Sequence, residues 1–423
     1  MQAEAPVSII DLALDQIVDI AEEGINMLGI EWFSRQQTKD MNMREAVHQK
    51  NRTKQRVRYT PKHPVIQWHY EYSKWREAIA SGLDIQANQS TLLLASFTRD
   101  LVEVRKARGL EHMLPRLQNP KEFTAAAFEV EVAASYVKRG WEIEFIQPSA
   151  ERSPDIRVTT NNGLVFWVEC KCRDQLSGRD SKISAFWENL QERLYRAWMP
   201  SKMNFGVLLT SAKDPVKSDL EEVADVIMQA ANLLYDHPDK RRLGIRGTAI
   251  AEKYDFRLQY LSDPDEELAF SGFGDGGADW FSMEGEVMYN ANGEGLIRNP
   301  KFYGFKNTNP PDKYMGVINA FKSAVGQLPD QGPGVIWLRV PVPTDGARSE
   351  SDMRSMVTML EREVSGQHNT RVNCVILSAR VFANEQNQGQ PAIAYRHIST
   401  IIEHNNPKSL LAFSKPLSEQ HVV

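Results

Sequence analysis

The chain has 423 residues, of which 42% are hydrophobic and 25% are charged, and its formal net charge at pH 7 is −5. This composition is that of a globular protein, and it excludes collagen-like and low-complexity chains. The length allows about two or three hydrophobic cores. The three cysteines are spaced as core residues and no apolar run is long enough to span a bilayer. We therefore predict a cytoplasmic protein without a membrane segment.

The first region, residues 1–115, is predicted to be mainly helical and to carry a basic segment. Apolar residues recur at helical spacing over 6–30 and 91–108. Between these helices, residues 44–77 contain nine Lys or Arg against three acidic residues. A solvated loop followed by an aromatic helix packed on the core is one interpretation. The other is a nucleic-acid contact, with phosphates bound by Arg52, Lys54, Arg56 and Arg58 and bases stacked on Tyr59, Trp68, Tyr70, Tyr72 and Trp75.

The second region, residues 116–236, alternates helices with strands and predicts a mixed α/β fold. Its first helix has Asn119 as the N-cap, Pro120 at the first helical position and Glu122 at the third. Apolar residues then recur at helical spacing up to Gly140. The elements predicted after this helix are strands at 141–146, 155–158 and 165–172, a helix at 183–198 and a strand at 205–210.

Two acidic residues and a lysine lie on two of these strands. Successive side chains of a strand point to opposite faces, so Glu169 and Lys171 share one face of theirs. A hairpin that reverses at 160–163, where turn residues cluster, would bring Asp155 to Glu169 at one end of the sheet. Two carboxylates at this point predict a site for a hard divalent cation. The alternative is that Asp155 closes a turn while Glu169 and Lys171 lie on an exposed strand face.

This Pro-Asp and Glu-x-Lys pattern, with its order of helix, three strands, helix and strand, resembles the PD-(D/E)xK nuclease superfamily over residues 119–211. The resemblance implies a restriction-endonuclease-like core that hydrolyses phosphodiester bonds with Mg²⁺ or Mn²⁺. It implies that Asp155, Glu169 and the carbonyl oxygen of Cys170 bind the metal. It also implies that Lys171 orients the attacking water or stabilises developing charge.

Many members of this superfamily add a glutamate from the first helix to the metal site. Glu129 and Glu131 are the two candidates here, and both flank the apolar stripe of the helix. The resemblance favours Glu129, which lies about three turns before Gly140. That both are merely solvated boundary residues remains an alternative.

A second signature lies on the helix predicted at 183–198. Gln191 and Tyr195 stand four residues apart and so share one face of that helix. The pair resembles the QxxxY signature of RecB-like nucleases. The motif is short and frequent by chance, so it adds little to the prediction.

The third region, residues 237–423, is predicted to be an accessory α/β region. Strands at 334–340 and 371–382 flank a helix at 351–363. Two arrangements stay open, because these strands either extend the nuclease-like sheet or form a domain of their own.

The predicted function is that of a metal-dependent nuclease, with DNA favoured over RNA and endonuclease action expected. The resemblance implies a role in restriction, repair or antiviral defence against phage, and action as a homodimer or with a partner protein. Two alternatives stay open. The chain is either a nucleic-acid-binding or scaffold protein that does not cut, or an effector nuclease held inactive until a partner or ligand releases it.

Overall fold

A computed structural model describes residues 14–52, 61–82, 87–147, 153–173, 178–198, 205–236, 244–260, 280–289, 295–308, 313–330, 333–340, 346–366, 371–387 and 390–404. Over these residues the fold is mixed α/β, which confirms the predicted class. Within the same residues, none of the helices combines the length and the apolarity that crossing a membrane requires.

The secondary-structure elements are numbered in chain order. The helices are α1 (Leu14–Arg52), α2 (Pro64–Ala80), α3 (Gln89–Glu103), α4 (Leu110–Gln118), α5 (Phe123–Val137), α6 (Gly178–Trp198), α7 (Leu220–Asp236), α8 (Lys313–Val325) and α9 (Gly346–Ser365). The strands are β1 (Glu142–Phe145), β2 (Ile156–Thr159), β3 (Val165–Cys172), β4 (Phe205–Ser211), β5 (Ile245–Ala249), β6 (Tyr254–Tyr260), β7 (Trp280–Tyr289), β8 (Gly295–Asn307), β9 (Gly334–Arg339), β10 (Val372–Asn387) and β11 (Gln390–Glu403).

The chain divides into two compact units. The first unit combines Met1–Gln175 with Tyr314–Val423, and the second is Leu176–Lys313. The second unit is therefore an insertion in the sequence of the first. This division differs from the predicted regions 1–115, 116–236 and 237–423, because strands far apart in sequence share one sheet.

The first unit contains a six-stranded sheet of order β1-β2-β3-β9-β10-β11. Strands β1, β2 and β3 form an antiparallel meander. Strand β9 then lies parallel to both β3 and β10, and β11 closes the other edge antiparallel to β10. Of the two arrangements left open for the carboxy-terminal strands, the structure therefore has the one in which they extend the sheet of β3.

The β2–β3 hairpin turns at the residues that the sequence indicates. The N–H of Gly163 donates to the carbonyl oxygen of Thr160 at 2.9 Å, and that of Thr160 donates to Leu164 at 2.9 Å. Gly163 has a φ of +80°, a left-handed conformation that glycine adopts without strain. The turn fixes a register in which Ile156 lies opposite Val168.

Hydrophobic layers cover both faces of this sheet. Helix α5 packs on the face that carries Phe166, Val168 and Cys170, which are buried in one cluster with residues of α5. On the opposite face, Ile336 and Leu338 of β9 are buried in a cluster with residues of α8 and α9. Because β3 lies between these layers, its polar side chains are held in a rigid, largely dry setting.

The helices before the sheet begin at defined caps. Asn88 accepts from the N–H of Thr91 at 2.9 Å at the start of α3. His63 plays the same role for α2, where its Nδ1 accepts from the N–H of Val65 at 3.3 Å. Helix α1 is interrupted at Gly29, whose φ is +96°. These helices contribute to the same buried cluster as α5.

The second unit has its own sheet, of order β5-β6-β4-β8-β7, and its own hydrophobic cluster. Helices α6 and α7 supply residues of that cluster, among them Leu190 and Ile227. The strand predicted at 205–210 as the last element of the nuclease-like core is β4, which pairs with β6 and β8 and not with β3. This corrects the expected core, since β4 belongs to a different sheet from β1, β2 and β3, and α6 belongs to the second unit.

Candidate functional site

Asp155 lies directly before β2 and is fixed against β3. The backbone N–H of Cys170 donates to its Oδ2 at 2.7 Å. The N–H of Asp155 itself donates to the carbonyl oxygen of Val168 at 3.1 Å. The Asp155 carboxylate thus accepts a backbone hydrogen bond from β3 next to Glu169. This is the position at which the predicted hairpin places Asp155.

Glu169 and Lys171 lie next to each other on one face of β3, as the alternation of side chains predicts. Lys171 Nζ donates to Glu169 Oε1 at 2.5 Å. The Glu169 side chain is fully buried, whereas 24% of the Lys171 side chain is exposed. The second oxygen of Glu169, Oε2, is buried and accepts no hydrogen bond from a nitrogen or hydroxyl among the described residues, and the Asp155 carboxyl lies within hydrogen-bonding reach of Glu169. The pair is therefore not a surface ion pair, and one carboxylate oxygen is left for a further ligand.

Gln327 is a neighbour of this pair that sequence reasoning missed. It lies in the turn after α8, where its N–H donates to the carbonyl oxygen of Ala324 at 2.9 Å. Its side-chain Oε1 accepts a hydrogen bond from Lys171 Nζ, although 156 residues separate the two. No local signal could have identified it, because its role depends on β9 pairing with β3.

Glu129 of α5 is buried and bound to an arginine. Arg116 of α4 donates from Nη1 to Oε2 and from Nη2 to Oε1, both at 2.6 Å. The electrostatic influence of Glu129 reaches both Asp155 and Glu169. Glu129 is thus within electrostatic range of Asp155 and Glu169, while both of its oxygens are bound to Arg116.

Glu131, the alternative acid on α5, has different partners. It forms ion pairs with Arg339 of β9 and, at 2.6 Å, with Arg380 of β10. The guanidinium of Arg339 lies over the ring of Phe128, 4.1 Å from its centroid. Glu131 therefore ties α5 to the strands that follow β3 and is not grouped with Asp155 and Glu169.

The carboxylates of Glu129 and Glu169 disfavour the ionised form of Asp155. Burial raises the pKa of Asp155 well above its usual value, and Glu129 and Glu169 add to this rise. Burial also raises the pKa of Glu169, although Lys171 acts in the opposite direction. A bound cation would relieve this repulsion.

The donors of this cluster fit a hard divalent cation. Carboxylate oxygens are the ligands that Mg²⁺ and Mn²⁺ prefer, and Glu169 Oε2 is a buried oxygen that accepts no hydrogen bond from a nitrogen or hydroxyl among the described residues. Burial raises the pKa of the Cys170 thiol, and the Cys170 side chain lies on the face of β3 opposite to Glu169. Among the described residues, no three His, Cys, Asp or Glu side chains lie close enough to hold one ion. The set that fits is two carboxylates completed by backbone oxygen and water, which suits Mg²⁺.

Gln191 and Tyr195 lie on α6 in the second unit. Gln191 is buried, and Tyr195 packs against the hydrophobic cluster of that unit. Gln191 and Tyr195 thus belong to a different unit from Asp155 and Glu169. A role for them in the predicted site stays a prediction.

The basic segment falls mostly outside the described residues. Lys54, Arg56 and Arg58 lie outside them, as does Tyr59, and for Arg52 only the backbone at the end of α1 is described. The aromatic residues of α2 are mostly packed inward. Tyr72 and Trp75 are buried, and Trp68 contacts the rings of Phe97 and Phe123. Tyr72 and Trp75 therefore belong to the core, and Trp68 packs against it.

The fold and the site together define a mixed α/β protein with a carboxylate and lysine cluster at the end of a hairpin. No known protein family matches the sequence, and no curated protein matches it.

Proposed function

We propose that the chain is a metal-dependent nuclease that hydrolyses phosphodiester bonds, with DNA as the favoured substrate. The observation that carries this proposal is the Lys171 ammonium held against the buried Glu169 carboxylate, beside Asp155. A structural ion pair would need neither the nearby third carboxylate of Glu129 nor a buried carboxylate oxygen that accepts no hydrogen bond from a nitrogen or hydroxyl among the described residues.

The order of elements in the first unit supports a restriction-endonuclease-like core once the insertion is set aside. Helix α5 precedes the meander β1, β2 and β3, and α8 then leads into β9. This gives helix, three strands, helix and strand, with β9 parallel to β3. In this proposal α8 and β9 take the places that the sequence assigned to α6 and β4.

The residues of the site divide the work of the reaction. Asp155 and Glu169, with the carbonyl oxygen of Cys170, hold the metal, which when bound lowers the pKa of a water and neutralises charge on the phosphate. Lys171 carries three N–H donors. Glu169 and Gln327 accept two of them. The third is left to orient the attacking water or to stabilise the charge that develops on the phosphate oxygens.

The test is incubation of purified wild type and Glu169→Gln with circular and linear double-stranded DNA, single-stranded DNA and RNA. Each is supplied with Mg²⁺, Mn²⁺ or EDTA. We expect the wild type to cleave DNA only with a divalent ion, cleavage of circles to show endonuclease action, and Glu169→Gln to be inactive. Glu142→Gln, an exposed acid on β1, is the matched control and should retain full activity. Cleavage that persists in pure Glu169→Gln would refute the site, and a wild type inactive on every substrate would remove support for the activity.

A further inference from the structure

Arg116 and Glu129 form the most fully paired contact at the candidate site. Both oxygens of Glu129 accept from the two terminal nitrogens of the guanidinium at 2.6 Å. Such a bidentate pair is geometrically specific and stronger than a single charged hydrogen bond. A metal ligated by Glu129 would share an oxygen with the guanidinium, and the two positive charges would repel each other in this buried setting.

The two partners differ in their access to solvent. Only 5% of the Glu129 side chain is exposed, against 22% for Arg116. The carboxylate therefore lies beneath the guanidinium, and Arg116 presents the outer surface of the pair. Although burial acts the other way, the carboxylates of Glu129 and Asp155 raise the pKa of Arg116, so the permanent cation lies within electrostatic reach of Asp155.

The guanidinium keeps donor capacity after these contacts. It has five N–H donors, and Glu129 takes two of them. A further Nη1 contact goes to the sulfur of Met113 at 3.4 Å, and Nε lies 3.5 Å from Glu122, an exposed side chain. These are weak contacts that an incoming anion can replace. The outer N–H of Nη2 has no further partner among the described residues.

We propose that Arg116 binds the phosphodiester of the substrate, and that Glu129 holds Arg116 in position instead of ligating the metal. This inference rests on the proposed nuclease function and deepens it. It assigns a substrate contact to a helix that lies before the nuclease-like core. It also reduces the metal ligands among the side chains to Asp155 and Glu169.

The first arm of the test measures Mn²⁺ binding alone, by calorimetry. We expect Asp155→Asn to weaken binding by at least about tenfold, because a ligand is lost. Glu129→Gln should change the affinity by less than about threefold, because an uncharged amide still accepts from Arg116 and no ligand is lost. If Glu129→Gln weakens Mn²⁺ binding as much as Asp155→Asn does, Glu129 is a ligand and the proposal is wrong.

The second arm measures binding of a labelled DNA duplex by fluorescence anisotropy over a range of salt, with Ca²⁺ replacing Mg²⁺ and a gel to verify that the duplex stays intact. The variant is Arg116→Gln combined with Glu129→Gln, which removes both charges and leaves no buried ion unpaired. We expect the salt-dependence slope to fall by about 0.9, the value for one phosphate contact.

The matched control is a second Arg–Glu pair, Arg105 with Glu23, whose side chains are both 51% exposed and 3.0 Å apart. Arg105→Gln combined with Glu23→Gln should leave the slope unchanged. An equal slope for both double variants would overturn the role of Arg116 in binding phosphate. Arg116→Lys keeps the positive charge but loses the planar, bidentate guanidinium. This variant should bind the duplex about tenfold more weakly, and its own melting temperature should equal that of the wild type.

The two proposals fail in different ways. If the wild type cleaves no substrate with Mg²⁺, the nuclease proposal loses its support, but the Mn²⁺ and duplex measurements still decide the roles of Glu129 and Arg116. If cleavage is observed and the slope of the double variant is unchanged, only the role of Arg116 is wrong.

Discussion

At the scale of single residues, the candidate site destabilises the folded state. Glu169 is fully buried, and the nearby Glu129 carboxylate opposes its ionisation, as Glu129 and Glu169 both oppose that of Asp155. Buried carboxylates that repel one another destabilise the folded state at neutral pH. Such an arrangement is expected where a cation or substrate supplies the missing interaction, and functional sites commonly oppose stability in this way.

Replacing Asp155 with asparagine should therefore stabilise the metal-free protein. The amide oxygen of Asn can still accept from the Cys170 N–H, while the charge is removed. Since the folded state raises the pKa of Asp155, the ionised form is disfavoured at pH 8. We expect the free energy of unfolding to rise by roughly 1 kcal/mol or more, measured with urea in EDTA. Cleavage with Mg²⁺ should be abolished.

The control for this prediction is Glu142→Gln, which removes an exposed charge from β1 of the same sheet. It should leave both stability and cleavage unchanged. If Asp155→Asn lowers the free energy of unfolding in EDTA, the carboxylate is a structural group and not part of a strained site.

Gln327 is predicted to act by positioning Lys171. Its Oε1 accepts a hydrogen bond from the same ammonium that Glu169 binds. Gln327→Ala should lower kcat by about tenfold or more with KM unchanged, because the ammonium loses its orientation but not its charge. Gln327→Glu, which keeps an acceptor oxygen, should restore part of the rate. Steady-state kinetics measures both.

Ser323→Ala, an exposed change near the end of α8, provides the control and should keep the wild-type kcat. A rise in KM without a change in kcat for Gln327→Ala would mean that the residue contributes to substrate binding instead.

At the scale of elements, His63 joins two helices and makes their packing sensitive to pH. Its ring accepts from the Val65 N–H at the start of α2, and its Nε2 lies 2.9 Å from the carbonyl oxygen of Leu117 in α4. Burial lowers the pKa of His63 to about 4, although the contact with Leu117 acts the other way. The folded state therefore contains neutral His63, with its proton on Nε2.

The sign of the pH dependence follows from these pKa values. In the unfolded chain His63 takes up a proton below about pH 6.5, whereas the folded state resists protonation until about pH 4. Its contribution to stability is complete above pH 6.5 and is lost as the pH falls towards 4. Between pH 7 and pH 5 the loss should be about 2 kcal/mol. The loss of unfolding free energy between pH 7 and pH 5, measured with urea, should be smaller by this amount in His63→Gln than in wild type.

The exposed His112 of α4 supplies the control, since His112→Gln should leave the pH dependence of unfolding as it is in wild type. An identical loss of stability between pH 7 and pH 5 in His63→Gln and wild type would show that other groups cause it.

How far the sequence predicts these elements depends on how many residues separate two interacting segments along the chain. The turn at 160–163 and the alternation of Glu169 and Lys171 are local, and the structure has both. Asp155 could be placed beside Glu169 because a hairpin register follows from the turn. The parallel pairing of β3 with β9 carries no local signal, so the sequence pattern instead suggested the next strand along the chain, β4. Gln327 and the bidentate contact of Arg116 were missed for the same reason.

At the scale of the whole molecule, the second unit should fold alone. Among the described residues, its hydrophobic cluster is drawn entirely from residues between Ile183 and Phe305, and its sheet contains only its own strands. Residues 176–313 expressed by themselves should show mixed α/β circular dichroism and cooperative urea unfolding. Residues 1–175 alone should not, because β3 would lack β9 and expose an unpaired, apolar edge.

The contrast between the two fragments is the control for this prediction. If residues 176–313 remain unfolded while the full chain unfolds cooperatively, the second unit depends on the first, and the insertion is not a separate folding unit.

The insertion has a consequence for the order of events on the ribosome. Lys171 leaves the exit tunnel 156 residues before Gln327, which at usual rates of translation is roughly 8 to 30 seconds. During that interval the nascent chain can complete the inserted unit, but β3 has no parallel partner and the ammonium has no second acceptor. The cluster of Asp155, Glu169 and Lys171 is thus assembled late in synthesis, after β9 has been translated, so an incomplete chain carries these residues without the arrangement that would make them reactive.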